Sequence, residues 1–118
     1  MESFEYTSGV WKAVWRTRKD INFKLFVLGD ADFMQTQSIS DQLQVLKNTI
    51  EVSIDNASTF ASGSEYRDVV CLAAGIVVDS VVVTRWDDIK IWFTLQGSGG
   101  MIGVRLYKDE PVDVFCDH

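Results

Sequence analysis

Apolar and polar residues alternate with a period of two near both ends of this chain, and with a period between three and four through its middle. From Gly9 to Arg16, Trp11, Ala13 and Trp15 fall on one side and Val10, Lys12, Val14 and Arg16 on the other, the mark of a strand with one buried face. Thr17-Arg18-Lys19-Asp20 is a polar turn. Ile21 to Leu28 then returns with Phe23, Leu25 and Val27 on one face and Asn22, Lys24, Phe26 and Leu28 on the other. The two segments predict an N-terminal hairpin, closed off by Gly29-Asp30-Ala31-Asp32.

Between Ser80 and Phe115 four more strands follow in succession. Val81–Trp86 runs through Asp87-Asp88 into Ile89–Leu95. Gly97-Ser98-Gly99-Gly100 leads to Met101–Tyr107, and Lys108-Asp109-Glu110-Pro111 leads to Val112–Phe115. β-Branched and aromatic runs at this regular spacing, bounded by Gly and Asp, predict an antiparallel meander.

The middle of the chain has the other period. Ile39, Leu43, Leu46, Ile50, Ile54, Ala57 and Ala61 recur at steps of three and four, with Ser40, Gln44, Lys47, Glu51, Asp55 and Ser58 largely opposite. Ser38 with Asp41 three residues on resembles a capping box. A helix is expected from about Ile39 to Thr59, ending at Ala61-Ser62-Gly63-Ser64, where Gly can adopt a left-handed cap. Ser64 to Asp79 leaves two readings open. Val69, Val70, Leu72, Ala73 and Ala74 suit a short buried helix or an apolar crossover, and Ile76-Val77-Val78 can begin a strand with a bulge or turn at Asp79-Ser80. The expected fold is α+β, one domain over residues 1–118: an antiparallel sheet, N-terminal hairpin plus C-terminal four-stranded meander, packed on one long amphipathic helix. Whether hairpin and meander adjoin is not written in the residues.

Composition sharpens this picture in one respect. The chain carries a net charge of −6, but Met1–Leu28 holds five basic against three acidic residues and Gly29–His118 six against fourteen. Such acidity repels phosphate backbones, which argues against nucleic acid, and suits a cationic protein partner. It also serves simple solubility. No apolar run reaches the roughly 18 residues that cross a bilayer, and Met1-Glu2-Ser3-Phe4-Glu5 lacks the basic and apolar regions of a signal peptide, so a cytoplasmic location and no membrane association are expected. The two cysteines, Cys71 and Cys116, fit reduced thiols there.

Candidate chemistry is sparse. Asp87-Asp88 is the nearest approach to a carboxylate pair, yet Asp in hairpin turns bonds its own backbone, and the same applies to Asp30 and Asp32. Cys71, Cys116, Asp117 and His118 lack the paired spacings of a zinc motif, and the single histidine is the last residue. The Gly97–Gly100 stretch joins strand to strand, without the helix N-terminus that phosphate loops use. No catalytic residue, cofactor site or metal site is therefore assigned. The aromatics are more suggestive: Trp11, Trp15, Trp86 and Trp92 lie in or beside strands. Trp92 opposes Ile91 and Phe93, and Phe26 and Leu28 oppose Phe23, Leu25 and Val27. Either the sheet has a two-sided core or its second face keeps an apolar patch for a partner.

Gly9-Val10-Trp11-Lys12-Ala13-Val14-Trp15 leading to Phe23-Lys24-Leu25-Phe26-Val27, the helix beginning at Ser38, and Ile89-Lys90-Ile91-Trp92-Phe93 followed by Gly103-Val104-Arg105-Leu106 make a layout that resembles small bacterial proteins of the uncharacterised-domain type. Many of those are encoded near polymorphic toxins and are regarded as immunity proteins. The resemblance is one of order and pattern, and no site residue carries over from it. It implies a non-enzymatic protein that binds and neutralises a toxin or effector. From acidity and aromatic content, the expected partner-binding surface is Trp86, Asp87, Asp88 and Trp92, with Asp109 and Glu110 on a neighbouring turn. The alternatives are a small-ligand module or enzyme with a pocket between helix and sheet, and a subunit that hides the patch by self-association, for example as a homodimer.

Overall fold

A computed structural model describes residues 4–17, 21–29, 37–72, 75–97 and 99–117. The turn expected at 18–20, the acidic stretch at Asp30 and Asp32, Ser98, the Cys71 and Asp117 side chains and His118 lie outside the described residues. Among the described residues the order is β1 (Glu5–Thr7), β2 (Val10–Arg16), β3 (Asn22–Leu28), α1 (Gln37–Ser62), α2 (Arg67–Leu72), β4 (Gly75–Arg85), β5 (Asp88–Gln96), β6 (Met101–Tyr107) and β7 (Glu110–Asp117). The α+β expectation holds, with the hairpin at β2–β3 and the four-stranded meander at β4–β7.

The strands form one sheet in chain order, β1 to β7. Neighbours are antiparallel except β3 and β4, which are parallel with Leu25 beside Val81 and Val27 beside Val83. Parallel neighbours cannot be joined by a tight turn. Here α1 and α2 make the crossover, which is how hairpin and meander come to adjoin. Asp79 is the extra residue of a bulge between Val78 and Ser80, so β4 continues through it rather than turning.

Alternation decides which side chains α1 covers. Ala13, Trp15, Phe23, Leu25, Val27, Val81, Val83, Ile89, Ile91, Phe93, Leu95, Ile102, Val104 and Leu106 are all buried on one sheet face. Leu46, Ile50, Ile54, Ala57 and Ala61 of α1 are buried against them. Fully burying a Leu, Ile, Val or Phe side chain contributes about 1.5–3 kcal/mol, so this layer dominates stability. α1 approaches β6 and β7 most closely, and α2 rests on α1 and β4.

The helix begins at Gln37, two residues before the expected start, which places Ser38 inside it. Its end is not made by a left-handed Gly63. Instead the Ser64 hydroxyl donates to the Ala61 carbonyl (2.7 Å) and accepts from the Tyr66 N–H (3.1 Å). One serine thereby closes α1 and caps the turn into α2, and glycine freedom is not needed there.

Candidate functional site

The six residues singled out from the sequence do not share one surface. Alternation along β5 puts Asp88 and Trp92 on the sheet face turned away from α1, because the intervening Ile89 and Ile91 and the following Phe93 are buried beneath the helix. Trp86 and Asp87 form the two-residue turn between β4 and β5, and Lys108 and Asp109 the turn between β6 and β7. Trp86, Asp87 and Asp109 line a groove on the helix side, together with Gln42, Val45, Leu46, Thr49, Ile89 and Lys108, with a volume of about 330 Å³. Glu110, the first residue of β7, is exposed and pairs with Tyr107 in the row of Asp88, which puts it on the face turned away from α1 and not in this groove.

The two turns are tied to each other. The Lys108 N–H donates to the Asp87 carbonyl at 2.7 Å, which holds the Asp87 and Asp109 turns side by side. Lys108 and Asp109 both take left-handed backbone angles, φ 50° and 67°. A two-residue hairpin turn of this hand normally uses Asn or Gly, and a lysine there stores roughly 1–2 kcal/mol. Trp86 is half-buried with its body against the core. The result is a lip of two carboxylates, Asp87 and Asp109, around one lysine, with an indole and the exposed Val45 beside it.

The opposite face is organised differently. Trp92 sits level with Ser80, Gly103 and Phe115 across four strands. A Cβ at Gly103 would fall 2.7, 2.8 and 2.9 Å from the Trp92 ring atoms Cζ3, Cε3 and Cη2. Near-equal distances to three consecutive ring atoms mean that the ring lies flat over the Gly103 backbone, a position open only because glycine has no side chain. One row away Asp88 accepts two hydrogen bonds from Arg105, from Nε at 3.0 Å and Nη2 at 2.9 Å. That pairing, with lesser help from Arg85 and Lys90, holds the Asp88 carboxyl below its ordinary range, and it raises the Arg105 guanidinium above its own. Arg105 also reaches Asp113 at 3.6 Å. A carboxylate so fixed in its charged form is a structural ion, not a proton donor or acceptor near neutrality.

A third feature lies between helix and sheet, and its lining was not legible in the sequence. Between α1 and the hairpin lies a cavity of about 130 Å³ lined by Trp15, Arg16, Thr17, Phe23, Gln44, Lys47, Asn48, Ile50 and Glu51. The Trp15 indole N–H borders no hydrogen-bond partner and is buried. Alternation marks Trp15 as inward, but nothing in a linear pattern shows whether its N–H is satisfied.

Among the described residues, no group of three or more His, Cys, Asp or Glu is placed to hold a metal ion. No helix there is long and apolar enough to cross a membrane. Comparison with protein-family models, curated proteins and solved structures returns no match.

Proposed function

We propose that this protein is a non-enzymatic protein-binding module, of the immunity or inhibitor kind, that receives a cationic segment of its partner at the lip formed by Asp87 and Asp109. The observation that carries the reading is the hydrogen-bonded pair of turns. Left-handed Lys108 and Asp109 are held against Asp87 at a cost in backbone energy, and strain of this kind concentrates where a surface is shaped for use. Trp86 and Val45 supply apolar anchorage beside the carboxylates, the composition of an interface centre with a charged rim. The overall charge of −6 steers a cationic protein towards it.

The test is retention of a cationic partner from the native lysate by the tagged protein, with release by salt, compared with Asp87→Lys/Asp109→Lys. Both positions are exposed, so the fold should survive the change. At least tenfold weaker retention is expected, and unchanged retention would refute the lip.

The buried, unpartnered Trp15 indole N–H favours a second reading, a small acceptor-bearing ligand in the cavity between helix and hairpin. Titration with small carboxylates and inorganic phosphate, followed at the Trp15 indole proton by NMR, tests it. An unmoved resonance would eliminate this reading.

A further inference from the structure

The two edges of the sheet are built differently. β1, at one edge, is three residues long, and so short a strand offers little for another chain to pair with. β7, at the other, runs eight residues, and among the described residues no strand lies beyond it. Its first part is blunted. Pro111 has no N–H to donate, and Val112 is an extra residue where the register with β6 slips. From Asp113 to Asp117 the pairing with β6 is regular, so alternate backbone N–H and C=O groups of this run face outward. The charge of the strand has one sign. Glu110, Asp113 and Asp117 are acidic, and β7 holds no Lys or Arg. Arg105 reaches Asp113 at 3.6 Å, but its Nε and Nη2 are committed to Asp88, and the Asp113 side chain stays 54% exposed. Phe115 is exposed beside these acids.

We infer that the Asp113–Asp117 edge accepts an added strand, and that its occupant is a basic, extended segment of a partner protein. The inference rests on the cationic-partner reading above and adds how the segment is held, through its own backbone. β7 begins directly after the Asp109 turn, so one segment can run from the lip along this edge. Side-chain alternation selects the pattern of the occupant. Asp113 and Phe115 stand on the face turned away from α1, level with Arg105 and Gly103, and register puts Asp117 opposite Met101, two places further on. Val114 and Cys116 fall between them, level with the buried Val104 and Ile102. A fitting strand therefore has cations beside positions 113 and 117, an aromatic beside Phe115 and aliphatic residues between. That pattern reads the same in both directions, so it holds for either strand polarity. A second copy is disfavoured, because pairing β7 with itself brings Glu110, Asp113 and Asp117 of both chains onto one ladder. Acidic side chains on an edge strand are a common guard against indiscriminate pairing. Here the same charges that refuse an acidic or identical strand admit a basic one, with main-chain bonds for affinity and alternate side chains for choice.

The experiment adds peptides to the full chain: Lys-Val-Phe-Ile-Lys with Gly-Ser at both ends, the same peptide with Glu for Lys, and two N-methylated forms of the first. One form is methylated on the Val and Ile amides, the other on the Lys and Phe amides. An added strand pairs through only one of its two edges, so one methylated form should lose at least tenfold in affinity while the other keeps most of it. The basic peptide should shift and slow the exchange of alternate amides from Asp113 to Asp117, and the Glu peptide should bind at least tenfold more weakly. Asp113→Lys, at an exposed position, should weaken the basic peptide by a similar factor. Asp87→Lys/Asp109→Lys should leave its binding intact, since the peptide is too short to need the lip. If the lip variant loses its lysate partner but the basic peptide leaves the β7 amides unmoved, the edge is overturned and the lip stands. Equal affinities of the two methylated forms also overturn the inference, because charge alone would then hold the peptide. So does a dimer in sedimentation whose β7 amides are already protected without peptide, since a second copy would then occupy the edge.

Discussion

The two faces of one sheet carry apolar residues at alternate positions of the same strands, and they meet different fates. On β5, Ile91 and Phe93 are almost wholly buried, while Trp92 between them is only half-buried. On β3, Leu25 and Val27 are fully buried, and Phe26 and Leu28 are not. The difference lies in α1, which covers one face along its Leu46–Ala61 stripe. On the other face, glycine and charge substitute for a covering layer. Gly103 lets the Trp92 ring lie flat, and the Arg105–Asp88 pair keeps a carboxylate charged among cations. An apolar pattern on both sides of a strand thus does not mean two cores: here one face is covered and the other stays partly open.

The sharpest way to break this comparison is to truncate one phenylalanine on each face. Phe93→Ala should cost about 3–5 kcal/mol in urea denaturation and Phe26→Ala about 1 kcal/mol or less. Equal losses would mean that the second face is also core.

Gly103→Ala should cost about 1–3 kcal/mol, because the new methyl meets the Trp92 ring and not empty space. Trp92→Ala in the same chain should recover part of that loss, a coupling measurable as a double-mutant cycle. Additive effects would place the ring elsewhere.

A smaller effect of opposite sign is expected at the lip. Lys108→Gly relieves a left-handed lysine and should raise stability by about 0.5 kcal/mol, net of glycine's greater freedom when unfolded. A loss of stability would show that the turn is not strained.

The mildest change is Asp88→Asn. The Asp88 carboxyl is held below its ordinary value by hydrogen bonds from Arg105, so its contribution is present above about pH 4 and is lost as pH falls through the lowered value. The variant should show a slightly lower Tm at neutral pH and a flatter acid limb in a Tm-against-pH profile. An unchanged acid limb would exclude this pair as a source of acid sensitivity.

Much of the fold was legible because burial on one face imposes a period of two on strands, and the helix stripe from Leu43 to Ala61 imposes its own. β1 escaped notice because Glu5–Thr7 is too short to alternate. Its only signal is the Ser8-Gly9 pair, whose positive φ angles of 50° and 86° make the two-residue turn into β2. The β3–β4 adjacency was not legible, since local pattern does not encode which distant strand a crossover delivers. The candidate surface was only half legible. Trp86, Asp87 and Asp109 converge, but Asp88, one residue beyond Asp87, belongs to the opposite face. Charge on β2 and β3 was visible as the basic N-terminal segment, yet only the register gathers Lys12 and Lys24 into one surface with Lys90.

The parallel contact between β3 and β4 also governs how the chain meets the ribosome. The hairpin strand Asn22–Leu28 emerges well before Gly75–Arg85 exists. At about 5–20 residues per second, the roughly 50 residues in between take on the order of 3–10 s to synthesise. For that interval the inner edge of β3 has no neighbour, and the apolar face of the β1–β3 ribbon has only the emerging α1 to cover it. Phe23, Leu25 and Val27 are then available to any other nascent strand or to a holding chaperone. Soluble yield should accordingly follow elongation speed and chaperone supply more closely than the stability of the finished protein.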